Sequence, residues 1–147
     1  MAIQFITTVI GTVGFALVFR LLPKHLPFVA LGGLISFGIF TLAEHLGAGL
    51  YFANFLAAAA TALYAEICAR MLRAPASVFL VPCMIPLVPG SMLYSAMSNF
   101  LAKNYAGGLA YSKDSALTGL GIASGIIAVS VLGSAGIKKF GIFGRKA

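Results

Sequence analysis

The stretch Ala74–Ala102, APASVFLVPCMIPLVPGSMLYSAMSNFLA, contains no charged residue. It is longer than the ~20 residues with which an α-helix crosses the hydrocarbon core of a bilayer. It carries Pro75, Pro82, Pro86 and Pro89, and Gly90 follows the last proline directly. Pro75 can begin a helix, whereas each later proline lacks an amide hydrogen and clashes with the carbonyl four residues before it. The stretch therefore predicts one membrane span that is broken near the bilayer centre.

The rest of the chain has the same character. Apolar residues make up 61% of the sequence and charged residues only 9%, whereas a soluble domain carries roughly 45–50% and about 25%. This composition excludes a water-soluble fold, and the high hydropathy excludes disorder. We predict an all-α integral membrane protein in which residues 1–147 form a single transmembrane domain. Its five helical spans are expected at about 2–19, 28–43, 47–65, 75–98 and 115–137.

The basic residues predict how the chain is oriented. If the N-terminus lies outside, eight Lys and Arg residues fall in inner segments and two, Lys103 and Lys113, fall outside. The positive-inside rule then places the N-terminus outside and the C-terminus inside. The net charge of +7 is explained by topology and anionic lipid, so no nucleic acid partner is predicted. The outer segment Asn104–Ser112, with two glycines between tyrosines, is expected to be a loop.

The break has the composition of a transport site. Pro82, Pro86 and Pro89 fall on one face, and the carbonyls of residues 78, 82 and 85 lose their helical donors. Beyond the break, Gly90 would begin a second half-helix whose free amides favour an anionic group. Discontinuous helices of this kind bind substrates in secondary transporters. The predicted substrate-binding residues, including one from the third span, are Pro86, Pro89, Gly90, Ser91, Tyr94, Ser95 and Asn54.

Ser91, Tyr94, Ser95 and Ser98 follow at helical spacing and form a polar stripe. A zwitterionic amino acid or a carboxylate would suit amides on one side of the break and freed carbonyls on the other. The alternative is a proline-kinked structural helix whose serines bond to their own backbone.

Other polar and small residues have two interpretations each. Asn54 and Thr61 lie seven residues apart and either line the same cavity or hydrogen-bond between helices. Gly121, Gly125 and Gly133 form a small-residue stripe that either packs the chain's own bundle or forms a subunit interface.

Glu66 precedes Arg70 by one helical turn, which predicts a surface ion pair. As an ionisable group near a membrane pathway, Glu66 is also a candidate for proton coupling. Cys68 and Cys83 lack ligand-like spacing, and the spans hold no paired carboxylates and no Cys/His dyad. We therefore expect no metal, no cofactor and no enzymatic activity.

Ile85-Pro86-Leu87-Val88-Pro89-Gly90, followed by Tyr94, resembles the signature of the threonine/serine exporter family. Glu66, Arg70, the pair Ala74-Pro75 and the run Val13-Gly14-Phe15-Ala16 also fit the family. In length and predicted spans the chain is similar to the small, YjjB-like subunit of that family.

The resemblance implies a bacterial inner-membrane exporter of threonine and serine, or of dicarboxylates such as succinate. We expect export to be coupled to the proton gradient. It also implies a larger membrane subunit as partner, and a homo-oligomer stays open. The alternative to an exporter is an oligomeric passive pore or a membrane scaffold. A pore is typically lined by charged rings or a repeated filter, whereas a scaffold would tolerate changes at Pro86, Pro89 and Gly90.

Overall fold

The computed structural model describes residues 2–140, and the side chains of residues 3–133. The regular secondary structure of this part of the chain is all helical, with no strand, which confirms that the fold is all-α. Two short 3₁₀ turns, Pro23–His25 and Ile85–Leu87, interrupt the α-helices. The α-helices are α1 (Ala2–Val18), α2 (Leu26–His45), α3 (Leu50–Leu72), α4 (Ala76–Met84), α5 (Gly90–Leu101) and α6 (Tyr105–Phe140).

The described helices supply three or four candidate membrane spans. Those that contain α2, α3 and α6 are each long and apolar enough to cross a bilayer. The fourth candidate is α4 and α5 taken together, bent by 46° at the break. Helix α1 is apolar but shorter than these. Each of the five predicted ranges contains a helix, while a fifth crossing by α1 and the N-out orientation stay predictions.

Helix α3 extends beyond its predicted end. Helix α3 continues seven residues past the predicted 47–65 and ends at Leu72. Its charged residues are tolerated there because Glu66 and Arg70 pair along the helix, with Oε2 and Nη2 3.5 Å apart. Arg73 then takes a left-handed conformation with φ of 50° and terminates the helix.

The predicted loop Asn104–Ser112 is wrong, because α6 already begins at Tyr105. The Asn104 side chain accepts a hydrogen bond from the Gly107 amide at 3.2 Å, which satisfies a free amide of the first turn. The two glycines serve packing rather than a loop. A Cβ atom at Gly108 would lie 2.7 Å from the Phe100 ring, so glycine here lets α5 and α6 approach closely.

Helix α3 lies between α2 and α6 and also contacts α4. The glycine stripe of α6 faces it: a Cβ atom at Gly121 or Gly125 would come within 2.6 Å of the Tyr51 or Phe55 carbonyl oxygen, respectively. The stripe thus packs the chain's own bundle, as one of its two interpretations predicted. Helix α1 lies on α2, while α5 packs along α6. This arrangement places the break against α1 and α2.

Candidate functional site at the broken helix

The break is a tight 3₁₀ turn followed by an extended residue. Helix α4 ends at Met84, Ile85–Leu87 form the turn, and Val88 is extended. The Ile85 amide donates to the Pro82 carbonyl, and the Val88 amide donates to the Ile85 carbonyl at 3.2 Å. These two carbonyls are therefore not free, contrary to the sequence-based expectation. The reason is that a 3₁₀ turn supplies donors three residues ahead instead of four.

The amide end of α5 agrees with the prediction. The helix begins at Gly90, and the Pro89 carbonyl accepts from the Leu93 amide at 3.0 Å. The amides of Ser91 and Met92, in the first turn, have no acceptor within the helix. Nothing lies within 4 Å of the position that a Cβ atom at Gly90 would occupy. A side chain at position 90 would therefore enter open space beside the start of α5.

A cavity of about 160 Å³ lies beside this helix end. It is enclosed by residues of α2, α3, the break, α5 and α6, and four of them were predicted as site residues: Asn54, Pro86, Pro89 and Ser91. The other lining residues are Phe40, Leu50, Leu87, Val88, Met92 and Thr118. The fold thus brings the third and fourth predicted spans together at one small, partly polar space.

Asn54 is 1% exposed, and its side-chain Nδ2 donates to the Leu50 carbonyl at 2.8 Å. That bond uses one of the two amide hydrogens and leaves the amide oxygen available. Thr61, which shares the face of Asn54, does not line the cavity, and its hydroxyl donates to the Ala57 carbonyl at 2.7 Å. The two residues therefore do not share a site.

Thr118 of α6 lines the cavity and was not predicted. Its hydroxyl donates to the Asp114 carbonyl at 3.0 Å and lies 3.8 Å from the Met92 sulfur. A sequence signal for it does exist. Thr118 precedes Gly121 by three residues and Gly125 by seven, so it lies on the α6 face that packs on α3.

Three residues predicted for the site, Gly90, Tyr94 and Ser95, do not line the cavity. Tyr94 and Ser95 belong to the α5 hydroxyl stripe, which we define as Ser91, Tyr94, Ser95 and Ser98. Tyr94 is 75% exposed, Ser91 and Ser98 are exposed, and Ser95 is half-buried. The stripe therefore begins at the cavity and continues along the outside of α5.

The chain matches the family described as Threonine/Serine exporter, ThrE, over residues 4–132. It belongs to the threonine/serine exporter family. The matched residues include every residue that lines the cavity, so the cavity lies within the part of the chain that the family model covers. No solved structure matches the chain.

Another cavity, of about 230 Å³, lies on the α1 side of the break. Pro86 lines both cavities. The polar lining here is the α1 hydroxyl stripe, which we define as Thr7, Thr8 and Thr12. The hydroxyls of Thr8 and Thr12 donate to the carbonyls four residues before them, at 2.7 and 2.8 Å. Thr7 does the same at 2.9 Å. The sequence analysis did not predict this cavity.

Glu66 lies away from both cavities. The predicted ion pair with Arg70 is confirmed at 3.5 Å, with the two side chains 25% and 63% exposed. A Cβ atom at Gly133 would lie 2.6 and 2.7 Å from the two carboxylate oxygens, so the carboxylate rests on the α6 backbone. Twelve residues of α3 separate it from Asn54, or about 18 Å along the helix axis. Among the described residues, no group of three His, Cys, Asp or Glu side chains is placed to hold a metal.

Proposed function

We propose that this chain is the small subunit of a two-component secondary exporter. Together with a larger membrane subunit, it moves small amino acids such as threonine and serine, or dicarboxylates such as succinate, out of the cytoplasm. The observation that carries the proposal is the cavity at the break, where a half-helix N-terminus, Asn54 and Ser91 surround a small space. Membership of the exporter family supports the direction of transport and the substrate class.

The proposed substrates share a carboxylate, and the site has a place for one. The first-turn amides at Ser91 and Met92 and the positive dipole end of α5 favour a negatively charged group. At about 160 Å³, the cavity is well below the ~300–1,000 Å³ typical for drug-sized ligands. It therefore suits a solute of few heavy atoms. The amide end also accounts for binding amino acids and dicarboxylates alike, since it recognises the group they share.

The α-ammonium group of an amino acid needs acceptors. The carbonyls of Pro82 and Ile85 already accept backbone amides, so they do not serve. Among the side chains that line the cavity, the Asn54 amide oxygen and the Ser91 hydroxyl are available as acceptors. We therefore assign the ammonium group to the α3 side of the cavity and the carboxylate to the α5 side.

Export against a gradient requires coupling and alternating access. We assign alternating access to movement of this half against the larger partner in a bacterial inner membrane, around the broken helix. Glu66 is the proposed proton-carrying group, because its carboxylate lies at the interface between α3 and α6, within a candidate membrane span. Its distance from Asn54 means that protonation would act through helix packing and not by contact with the substrate.

The test uses inside-out membrane vesicles from cells that contain the larger subunit, prepared with and without this chain. Uptake of labelled serine and succinate is followed with the proton gradient intact and then collapsed. The proposal expects uptake of at least one solute that requires both this chain and the gradient. Equilibration of the solute that does not depend on the proton gradient would favour the passive pore. Uptake that is the same with and without this chain would favour the scaffold.

The proton-coupling role has its own test. Glu66→Gln keeps the size of the side chain and its place against Gly133 but cannot lose a proton. We expect gradient-driven uptake to fall at least tenfold while solute exchange without a gradient persists. Glu44→Gln is the control, because Glu44 is exposed at the end of α2. Gradient-driven uptake that survives Glu66→Gln would remove Glu66 from the mechanism.

A further inference from the structure

We propose that the α5 hydroxyl stripe faces water and forms one wall of an aqueous path from the cavity to the membrane surface. The path would carry the solute along the outside of α5, beyond the cavity itself. Three observations carry this inference: the hydrogen bonding of the stripe, its continuity with the cavity, and its uncovered position.

The hydroxyls of the stripe are unsatisfied. Those of Ser91, Tyr94, Ser95 and Ser98 have no hydrogen-bond partner within the part of the chain that the structure describes. All six threonines of the chain, by contrast, donate to carbonyls of their own helices. An unpaired hydroxyl is costly in hydrocarbon, where no water can replace the missing partner. Four such groups on one helix face therefore indicate water, or polar groups of another molecule, beside them.

The stripe is continuous with the cavity and has the length of half a bilayer. Ser91 belongs to both the stripe and the cavity lining. Helix α5 has 12 residues and rises about 18 Å at 1.5 Å per residue, against ~15 Å for half of a 30 Å hydrocarbon core. If the break lies at mid-depth, as the sequence predicts, the stripe reaches from the bilayer centre to one membrane surface.

One face of α5 is committed to α6. Ala96 is 5% exposed, the Phe100 ring lies against Gly108, and the Met92 sulfur meets the Thr118 hydroxyl. The stripe lies to one side of this interface and stays open, with Tyr94 75% exposed. The opposite wall of the path therefore comes from outside the described chain. Under the proposed function, the larger subunit supplies it, and this assignment rests on that function.

Cysteine labelling tests the path without measuring transport, so its failure is distinct from failure of the proposed function. Single variants Ser91→Cys and Ser98→Cys, which preserve side-chain size, are reacted with a charged, membrane-impermeant thiosulfonate in membranes that contain the larger subunit. Leu93→Cys and Met97→Cys are controls at similar depth on exposed positions of α5 outside the stripe. Thr7→Cys is the control on α1. The native Cys68 and Cys83 are buried, so background reaction is low.

We expect the Ser91→Cys and Ser98→Cys thiols to react at least tenfold faster than the Leu93→Cys and Met97→Cys thiols. The Thr7→Cys thiol should react as slowly as these two α5 controls, because the α1 hydroxyl stripe is already satisfied. Equal, slow reaction at the Ser91 and Leu93 positions would overturn the inference and place the stripe against lipid or dry protein. Fast reaction at Ser98 alone would also overturn it, since only the membrane surface would then be wet.

Discussion

Two rows of hydroxyl groups flank the same broken helix, and they differ in what their hydrogens do. The threonines of the α1 hydroxyl stripe donate to their own helix backbone at 2.7–2.9 Å, whereas the α5 hydroxyl stripe has no partner in the described chain. Each row contributes to a cavity that Pro86 also lines, and both rows contain exposed residues. Exposure alone therefore does not distinguish the two rows, whereas their hydrogen bonding does. A self-bonded threonine is compatible with lipid, but an exposed, unpaired hydroxyl at membrane depth calls for water, and this is the basis of the path we propose.

The largest difference is expected when a bulky side chain is added on each side of the break. Gly90→Leu and Gly11→Leu both place the new side chain in open space, since nothing lies within 4 Å of either Cβ position. Gly90→Leu should reduce transport more than tenfold, because the leucine would cover the free amides at the start of α5. Gly11→Leu fills the α1-side cavity and should leave transport within about twofold. Uptake in vesicles and membrane abundance by immunoblot measure both effects.

If Gly90→Leu lowers the abundance of the protein instead, Gly90 has a folding role. The variant then gives no support for a difference in function between the two sides of the break. Equal loss of transport in both variants would show that the two sides of the break act alike.

A smaller difference is expected when hydroxyls are removed and bulk is not added. The triple variant Ser91→Ala, Ser95→Ala, Ser98→Ala should lower the transport rate about fivefold to tenfold, because the path loses groups that solvate the solute. Replacement of Thr7, Thr8 and Thr12 by valine should change the rate less than twofold, since valine has the shape of threonine and those hydroxyls are already bonded. Initial rates at saturating solute measure this pair. Equal rates in the two triple variants would contradict the distinction.

The smallest effect concerns the wall of the cavity on α3. Asn54→Ala should raise the KM for transport severalfold, because a buried acceptor beside the cavity is lost. Thr61→Ala is matched to it: Thr61 is also buried, lies on the same helix face and bonds to its own backbone, but does not line the cavity. Its KM should change less than twofold. A KM unaffected by Asn54→Ala would remove α3 from the site.

The sequence predicted the position of the break because its cause is local. Three prolines within eight residues, followed by glycine, remove amide hydrogens wherever the chain folds. The pairing of Glu66 with Arg70 was predictable for the same reason, since one helical turn separates them. We also expected a broken helix to line a cavity, and this expectation placed Asn54, Pro86, Pro89 and Ser91 at one site.

What the sequence did not predict depends on contacts between distant residues. The start of α6 at Tyr105 was missed because Gly107 and Gly108 are typical of a loop, while here their missing side chains admit Asn99, Asn104 and Phe100. The carbonyls of Pro82 and Ile85 were expected to be free, but 3₁₀ bonding satisfies them. Thr118 and the α1-side cavity appear only when α6 and α1 are packed beside the break.

The most direct test of the central claim asks whether a transported solute occupies the cavity at the break. In membranes that contain both subunits, the Ser91→Cys variant is labelled with the charged thiosulfonate in the presence and absence of saturating serine or succinate, with Ser98→Cys as the reference. We expect the transported solute to slow labelling at position 91 at least fivefold and to slow it much less at position 98. Labelling at position 91 that no transported solute slows would contradict a binding site at the broken helix.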